Sequence, residues 1–416
     1  MFDFNALHVI EALRSGVPSR TVGEYFSEAR PALTKKLRER LDAVRETGRS
    51  DGMIITGRYG EGKTHFLNTA FNMAFASNMV VSFVSLGKET PIDKPWTLYR
   101  KLMAGTYLPN AGQPGFRARL EELSAGSAVT GDLLAYAARE LETDKLYYLL
   151  RALLGTQDDE ERNLFLADLE GDFASAALIK RSYRRITGTP VKFNQSFSKS
   201  RHWMDYFAFV SRLFRLLGYG GWVILFDEAE LIGRMGKRAR AKSYREMQRF
   251  LQPSARMEKV FSLFALSSSF AEDVIDKKRE FDNAKSVFSD DAEALRAAQS
   301  ALQAMLSAPE LAPLNKTEIT GILQSIQDFH GRAYDWRPDV PTESVYEATE
   351  AGGYLLRTKI RAAIEFFDQL YQYGQVGETR IAALGRERFD EEEADTPEPP
   401  ESDDSVSQEA QEQEND

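Results

Sequence analysis

Two short stretches carry residue types that could do chemistry together. The first, Gly57-Arg58-Tyr59-Gly60-Glu61-Gly62-Lys63-Thr64, matches G-x-x-x-x-G-K-[ST] at every fixed position. Loops of this pattern curl successive backbone N–H groups around an anion, and the helix that follows adds its positive end. Lys63 then reaches terminal phosphates, and the Thr64 hydroxyl suits Mg²⁺, a hard cation that prefers oxygen. The second stretch, Asp227-Glu228, closes the apolar run Trp222-Val223-Ile224-Leu225-Phe226. Open α/β sheets bind ligands outside the carboxyl ends of their strands, so an acidic pair there would lie beside the phosphates. Asp227 suits the Mg²⁺ shell, and Glu228 suits the polarising of an attacking water. A helix N-cap followed by a first-turn acid would account for the same two letters. Together the stretches predict binding of a nucleoside triphosphate.

These residues need a sheet behind them. Met53 to Thr56 and Met79 to Leu86 read as strands around a helix from Thr64 to Phe75, one βαβ unit that implies a parallel sheet. Trp222 to Phe226 is apolar throughout, as a strand buried on both faces would be. Val260 to Leu266 is a further strand running into Ser267-Ser268-Ser269, whose hydroxyls could orient a water or simply form a turn. Phe4 to Ser15 reads as an amphipathic helix stopped by Gly16-Val17-Pro18, and Val22 to Thr47 as helix restarted at Pro31. From Trp96 to Arg201 the chain reads as helices without a strand: Tyr99 to Met103, Phe116 to Leu123, Gly131 to Leu154 and Asp159 to Thr187. Ser200 to Leu217 is again helical. Glu272 to Met305 is helical and charged enough for a surface or partly mobile element. Asn315-Lys316-Thr317-Glu318 resembles a capping box, followed by helices Glu318 to His330, Thr342 to Glu350 and Tyr354 to Tyr373.

The resulting fold class is α/β, a P-loop parallel sheet flanked by helices, with a large all-helical insertion and a C-terminal helical domain. Its expected divisions are an N-terminal helical segment (1–50), a first core part (51–95), the insertion (96–201), a second core part (202–310), a helical lid or winged-helix-like domain (311–386) and an acidic tail (387–416).

A chain of 416 residues can hold two or three domains and a large core. No apolar run approaches a membrane span, and the first residues show no secretory signal, so a cytoplasmic address is expected. With no cysteine, disulfides, thiolate zinc sites and cysteine nucleophiles are excluded. The formal net charge of −10 is unevenly spread: Phe389 to Asp416 holds 13 acidic residues and no Lys or Arg, which leaves the rest at about +3. That tail should be disordered, and the near-neutral body leaves nucleic acid open as a partner.

Two basic stretches bear on that partner. One holds Arg234, Lys237, Arg238, Arg240, Lys242, Arg245 and Arg249, against only Glu230 and Glu246. Its arginines could meet DNA phosphates or a neighbouring subunit's transferred phosphate, or could line a solvated helix face. The other holds Lys180, Arg181, Arg184, Arg185, Lys192, Lys199 and Arg201 among Tyr183, Phe193 and Phe197, a mixture that can track a nucleic-acid backbone and stack on bases, or form an ordinary amphipathic helix. Arg357 and Arg361 share a helix face and could reach the γ-phosphate or pair with acids. His8, His65, His202 and His330 show no metal-ligand spacing.

The order of Lys63, Asp227-Glu228 and a serine-ended strand resembles an AAA+ or related ATPase with a C-terminal helical lid. The 164 residues between Lys63 and Asp227 exceed what compact members need, and the helical insertion accounts for the excess. More narrowly, Ile10 to Pro18, the loop extended through His65-Phe66-Leu67, Lys88-Glu89-Thr90-Pro91, and Gly218-Tyr219-Gly220-Gly221 leading into Leu225 to Glu230 resemble the ATP-binding proteins of bacterial BREX phage-defence systems, of the BrxD type and the related BrxC. The resemblance implies an ATPase that uses ATP and Mg²⁺. Its nucleotide contacts would be Gly57, Tyr59, Gly60, Glu61, Gly62, Lys63, Thr64, His65 and Arg357, with Thr64 and Asp227 on the metal and Glu228 at the water. Where the family commonly has Pro-Arg, this chain has Leu356-Arg357. Expected partners are further copies of the chain, DNA, and other defence proteins such as a helicase or methyltransferase, with no membrane. A nucleotide-dependent switch that regulates a defence effector is the alternative.

Overall fold

Short runs of β-branched and aromatic residues build a five-stranded sheet at the centre of the molecule. The computed structural model describes residues 3–15, 20–26, 30–109, 111–350 and 355–376. Strand β1 is Asp51–Gly57, β2 Val80–Ser85, β3 Thr106–Tyr107, β4 Trp222–Asp227 and β5 Val260–Ser267, in the order β1-β5-β4-β2-β3. All pairs are parallel except β2 with β3. The mixed α/β architecture agrees with the expected class. β3 is a correction to the strandless reading of 96–201, since two residues are too short to show a period of two.

The two faces of the sheet are covered differently. Helices Pro31–Thr47 and Lys63–Ala76 place Leu37, Leu41, Val44, Leu67, Ala70 and Phe71 on one face. The other face meets the insertion and helices Lys199–Leu216, Lys237–Leu251 and Ala292–Leu306. Phe226 stacks on Phe264 at 4.2 Å, locking β4 against β5. Ala292–Leu306 is not a surface element: it buries Ala294, Ala298, Ala301, Leu302 and Met305. Its alanines at helical spacing let it pack closely, whereas its charges point outward.

Inside the insertion, two stretches expected as single helices are broken. Gly131 to Leu154 becomes Ala128–Arg139 and Lys145–Gly155, because the Asp205 carboxylate takes the Thr143 N–H at 2.7 Å and draws the backbone out of the helix. Asp159 to Thr187 becomes Asp159–Ala167, a π-type turn at Asp168–Asp172 and Ala176–Thr187. Gly171 there has φ 109°, and a Cβ would lie 2.9 Å from the Arg100 backbone, so the break needs glycine. Lys145 and Asp168 form a fully buried pair at 2.7 Å beneath Phe197 and Tyr206. The Tyr206 hydroxyl donates to the other Asp168 oxygen.

A third cluster joins the two ends of the chain. Helix Phe4–Ser15 packs with Lys316–Tyr334, Thr342–Glu350 and Leu356–Tyr373 through Ala6, Val9, Ile10, Ile326, Phe329 and Phe367. Arg14 grips Asp368 through both carboxylate oxygens, and His330 lies 3.0 Å from the same carboxylate. Asn315 and Glu318 complete the expected capping box. The residues Gly16-Val17-Pro18 and the acidic tail lie outside the described residues. No helix among the described residues is long and apolar enough to cross a membrane.

Candidate functional site

The phosphate loop is shaped by where β1 ends and its helix begins. Gly60 at φ 81° and Gly62 at φ 92° take left-handed conformations that turn the chain back on itself before Lys63 opens the helix. The first N–H groups of a helix have no partner within it, and this helix presents them to the loop's hollow. Lys63 is almost buried, and its Nζ donates to the Gly57 carbonyl at 3.3 Å and lies 3.4 Å from Glu230 Oε1.

Across the loop stands the end of β4. The Thr64 hydroxyl donates to Asp227 Oδ2 at 2.7 Å, while Asp227 Oδ1 accepts the Glu228 backbone N–H at 2.9 Å. Asp227 is buried, whereas Glu228 is exposed and held at φ 54°. A left-handed glutamate costs on the order of 1 kcal/mol or more, a strain typical of working sites. Neither acid caps the short helix Ala229–Arg234 with its side chain, which sets aside the N-cap reading. β5 lies between β1 and β4, so its end is held between the loop and the acidic pair. There the Ser268 N–H donates to Gly57 O at 3.1 Å, and the Ser267 and Ser269 hydroxyls pair at 3.1 Å. None of these three serines lines the cavity that the loop opens into.

That cavity is walled by Tyr59, Gly60, Gly62, Lys63, Thr64, His65, Asp227, Glu228, Glu230, Arg30 and Arg357 on its polar side. Its apolar side combines Leu13, Val22 and Phe26 near the chain's start with Ile322, Leu356 and Ile360 from the C-terminal helices. Gly57 and Glu61, expected as nucleotide contacts, do not line it. Gly57 sits behind and holds Lys63. Glu61 is turned to Arg30, whose Nη2 donates to the Glu61 carbonyl at 3.0 Å and lies 3.9 Å from its carboxylate. Burial pushes the Glu61 carboxyl up, against the pull of Arg30 and Arg58.

The structure brings Arg357 to the loop. Its backbone N–H donates to Gly60 O at 3.3 Å, and its Nη1 donates to the Tyr59 hydroxyl at 3.2 Å. Its Nε is buried with no hydrogen-bond partner among the described residues. Arg361 does not line the cavity. His65 reaches the other way: its Nε2 lies 3.1 Å from the Phe26 carbonyl, and burial pushes its pKa down, which fits a neutral ring donating through Nε2. Helix Arg20–Tyr25 rests so closely on the P-loop helix that a Cβ at Gly23 would sit 2.8 Å from Asn68 Cβ.

Two contributors escaped sequence reasoning. Glu230 looked like a minor counter-charge in a basic run, although its place as the third acid of Asp227-Glu228-Ala229-Glu230 was a visible signal. Arg30 had none, because its role depends on residues far along the chain.

The loop's glycines, the orphaned Arg357 Nε and the apolar slot fit a triphosphate carrying an aromatic base. Thr64 and Asp227 fit Mg²⁺, which is commonly held by one or two protein oxygens together with substrate phosphates.

The basic stretches resolve into different parts. Arg240 is buried in an ion pair with Glu280 at 2.9 Å and donates to the Met235 carbonyl, while Arg245 and Arg249 both grip Glu246. Only Lys237 and Arg238 of that run are exposed. In the insertion, Phe193 is buried against Tyr148 under Lys180, Tyr183 packs on Tyr148, and Phe197 stacks on His202. These rings form internal packing and are not a platform for bases. Arg185 pairs with Glu161, and Arg181, Arg184, Lys192, Lys199 and Arg201 remain exposed.

A glycine-turned loop running from a strand into a helix, a buried aspartate on its threonine and an interposed strand define a P-loop fold. The chain belongs to the family described as BREX system ATP-binding protein BrxC/D, whose model matches residues 4–122 and 146–380. The match does not separate the BrxC and BrxD types. A solved structure, the Walker-type ATPase PABY2304 of Pyrococcus abyssi, is 12% identical and covers 82% of this chain and 67% of its own at a TM-score of 0.34, too distant to inform the site. No sequence among curated proteins matches the chain.

Proposed function

We propose that this chain hydrolyses ATP in anti-phage defence and acts with partner proteins on DNA. The observation that carries hydrolysis is Glu228, an exposed glutamate with a strained backbone on the wall of the cavity that Lys63, Thr64 and Asp227 also line. A chain that only stored nucleotide would have no use for a carboxylate held there at a cost. Glu228 takes a proton from water as the water oxygen bonds to the γ-phosphorus, and the bond from that phosphorus to the bridging oxygen breaks to release ADP and phosphate. Lys63 and Arg357 offset the charge gathering on the transferred group. Thr64 and Asp227 would hold Mg²⁺, which would supply positive charge to offset that of the phosphates. The slot around Leu13, Phe26 and Ile360 takes the base.

DNA as partner is supported by the exposed cations Arg181, Arg184, Lys192, Lys199 and Arg201. Assembly of several copies and cooperation with a helicase or methyltransferase belong to the same reading through the family. The test is steady-state ATP hydrolysis with and without duplex DNA. Glu228→Gln should keep ATP binding and lower turnover by about 10²-fold or more. Unaltered turnover would place the lytic acid elsewhere, and hydrolysis indifferent to DNA would remove the DNA part of the reading.

A further inference from the structure

The buried partner of the P-loop lysine bears directly on how nucleotide enters. Lys63 Nζ lies 3.4 Å from Glu230 Oε1, with the two side chains only 9% and 3% exposed. A buried ammonium must be paired, and here the Gly57 carbonyl and the Glu230 carboxylate supply the acceptors. Both Lys63 and Glu230 face the cavity that contains Thr64 and Asp227. We propose that Glu230 is a competing anion: it holds Lys63 in the nucleotide-free protein, yields it to the phosphates when nucleotide binds, and thereby sets the affinity of the site.

The argument rests on the nucleotide reading above and on charge. A phosphate oxygen and Glu230 Oε1 seek the same ammonium. Once the phosphates arrive, the carboxylate shares a low-dielectric cavity with a group of like charge, so the bound state loses part of the pair's attraction and gains repulsion. Glu230 sits on the 3₁₀ segment Ala229–Arg234, whose poorer hydrogen bonding makes it easier to shift than an α-helix. Its far end is tied outward, since the Gly233 carbonyl accepts Lys278 Nζ at 3.0 Å and the Met235 carbonyl accepts Arg240 Nη1 at 2.7 Å. Glu230 is thus a positioning residue acting through Lys63, distinct from Glu228 on the same cavity wall.

Glu230→Gln keeps the shape and removes the charge. Calorimetric titration of the full chain with ADP and with a non-hydrolysable ATP analogue, both with Mg²⁺, should show binding about tenfold tighter than wild type, on the order of 1.4 kcal/mol. Unchanged or weaker binding by a variant that melts normally overturns the proposal. A second measurement needs no nucleotide. In urea unfolding of Lys63→Ala, Glu230→Gln and the double variant, the pair predicts that the double costs less than the sum of the singles. Additive costs would overturn it, because a merely structural Glu230 is indifferent to Lys63. Wild-type protein that binds no nucleotide would sink the functional reading itself, whereas wild-type binding with an indifferent Glu230→Gln would sink this proposal alone.

Discussion

Arg357→Ala should make the site lose its preference for ATP over ADP. The helix Leu356–Tyr373 reaches the loop through two contacts of Arg357, one from its backbone to Gly60 O and one from its guanidinium to Tyr59. Truncation to alanine removes only the second, so the helix keeps its backbone tie to the loop and the apolar slot keeps Leu356 and Ile360. What is lost is a cation with a buried, unpartnered Nε on the cavity wall. A hydrogen bond to a charged group contributes about 1.5–3 kcal/mol, which corresponds to a loss of roughly 10- to 150-fold in affinity for a non-hydrolysable ATP analogue. ADP lacks the γ-phosphate and should lose less than about threefold on the same reasoning. Arg357→Lys should recover part of the loss, because it restores a point charge without the planar fork. Calorimetry with both nucleotides on each variant decides the matter. Equal losses for ADP and the analogue would refute the assignment, since they would mean that Arg357 only docks the C-terminal helices.

Three further outcomes follow from the geometry. Asp168→Asn leaves Lys145 buried without its counter-charge and should cost about 3–5 kcal/mol in urea unfolding, with Lys145→Met in addition costing far less than its own share. His65 has its pKa lowered by burial from 6.5, so as pH falls below that value the unfolded chain binds a proton that the folded chain refuses, and stability declines; His65→Gln, which keeps a donor for the Phe26 carbonyl and does not titrate, should flatten stability against pH in that range. For DNA, Arg181→Gln with Arg184→Gln should weaken binding and reduce its salt dependence at unchanged melting temperature, whereas Arg240→Gln should lower the melting temperature by stranding Glu280. A similar DNA loss from Arg240→Gln at full stability would reverse that division.

The parts of the site that were legible in the sequence are those whose chemistry is written locally. Gly57 to Thr64 specifies its own loop because glycine spacing, lysine and hydroxyl sit within one turn of chain, and Asp227-Glu228 is marked by the apolar strand before it. Roles that depend on partners far along the chain were not legible. Arg30 and Glu61 meet only after the first helices fold onto the loop, and Phe26 joins Ile360 on one wall although they stand near opposite ends of the chain. The basic run after Glu228 was half legible. Arg240 shares a stripe with Tyr244, Met247 and Leu251 at helical spacing, which marks it as inward, while counting charge alone groups it with the exposed Arg238. The helix break at Thr143 comes with Asp205, a tertiary partner that no local propensity reports, whereas Gly171 carried a local signal for the second break, and its close approach to the Arg100 backbone was not legible.

The joining of chain ends gives the site its mechanical character. Helix Phe4–Ser15 contributes Leu13 to the cavity and is bound by Arg14 to Asp368 on the helix that carries Arg357 and Ile360. The proposed base wall and Arg357 therefore belong to one packed cluster, while Lys63, Thr64, Asp227 and Glu228 belong to the sheet. A nucleotide held as proposed would touch both, and its base and phosphates would add contacts across a junction that, among the described residues, already includes Arg357 to Gly60 and Tyr59, His65 to Phe26, and Asn72 to Arg20. Contacts made only in the occupied state would stabilise this packing by mass action. In the proposed reading, hydrolysis removes the γ-phosphate that Arg357 and Lys63 share and so weakens the junction, and departure of the remaining nucleotide then returns Lys63 to Glu230, so the junction loosens before the loop resets.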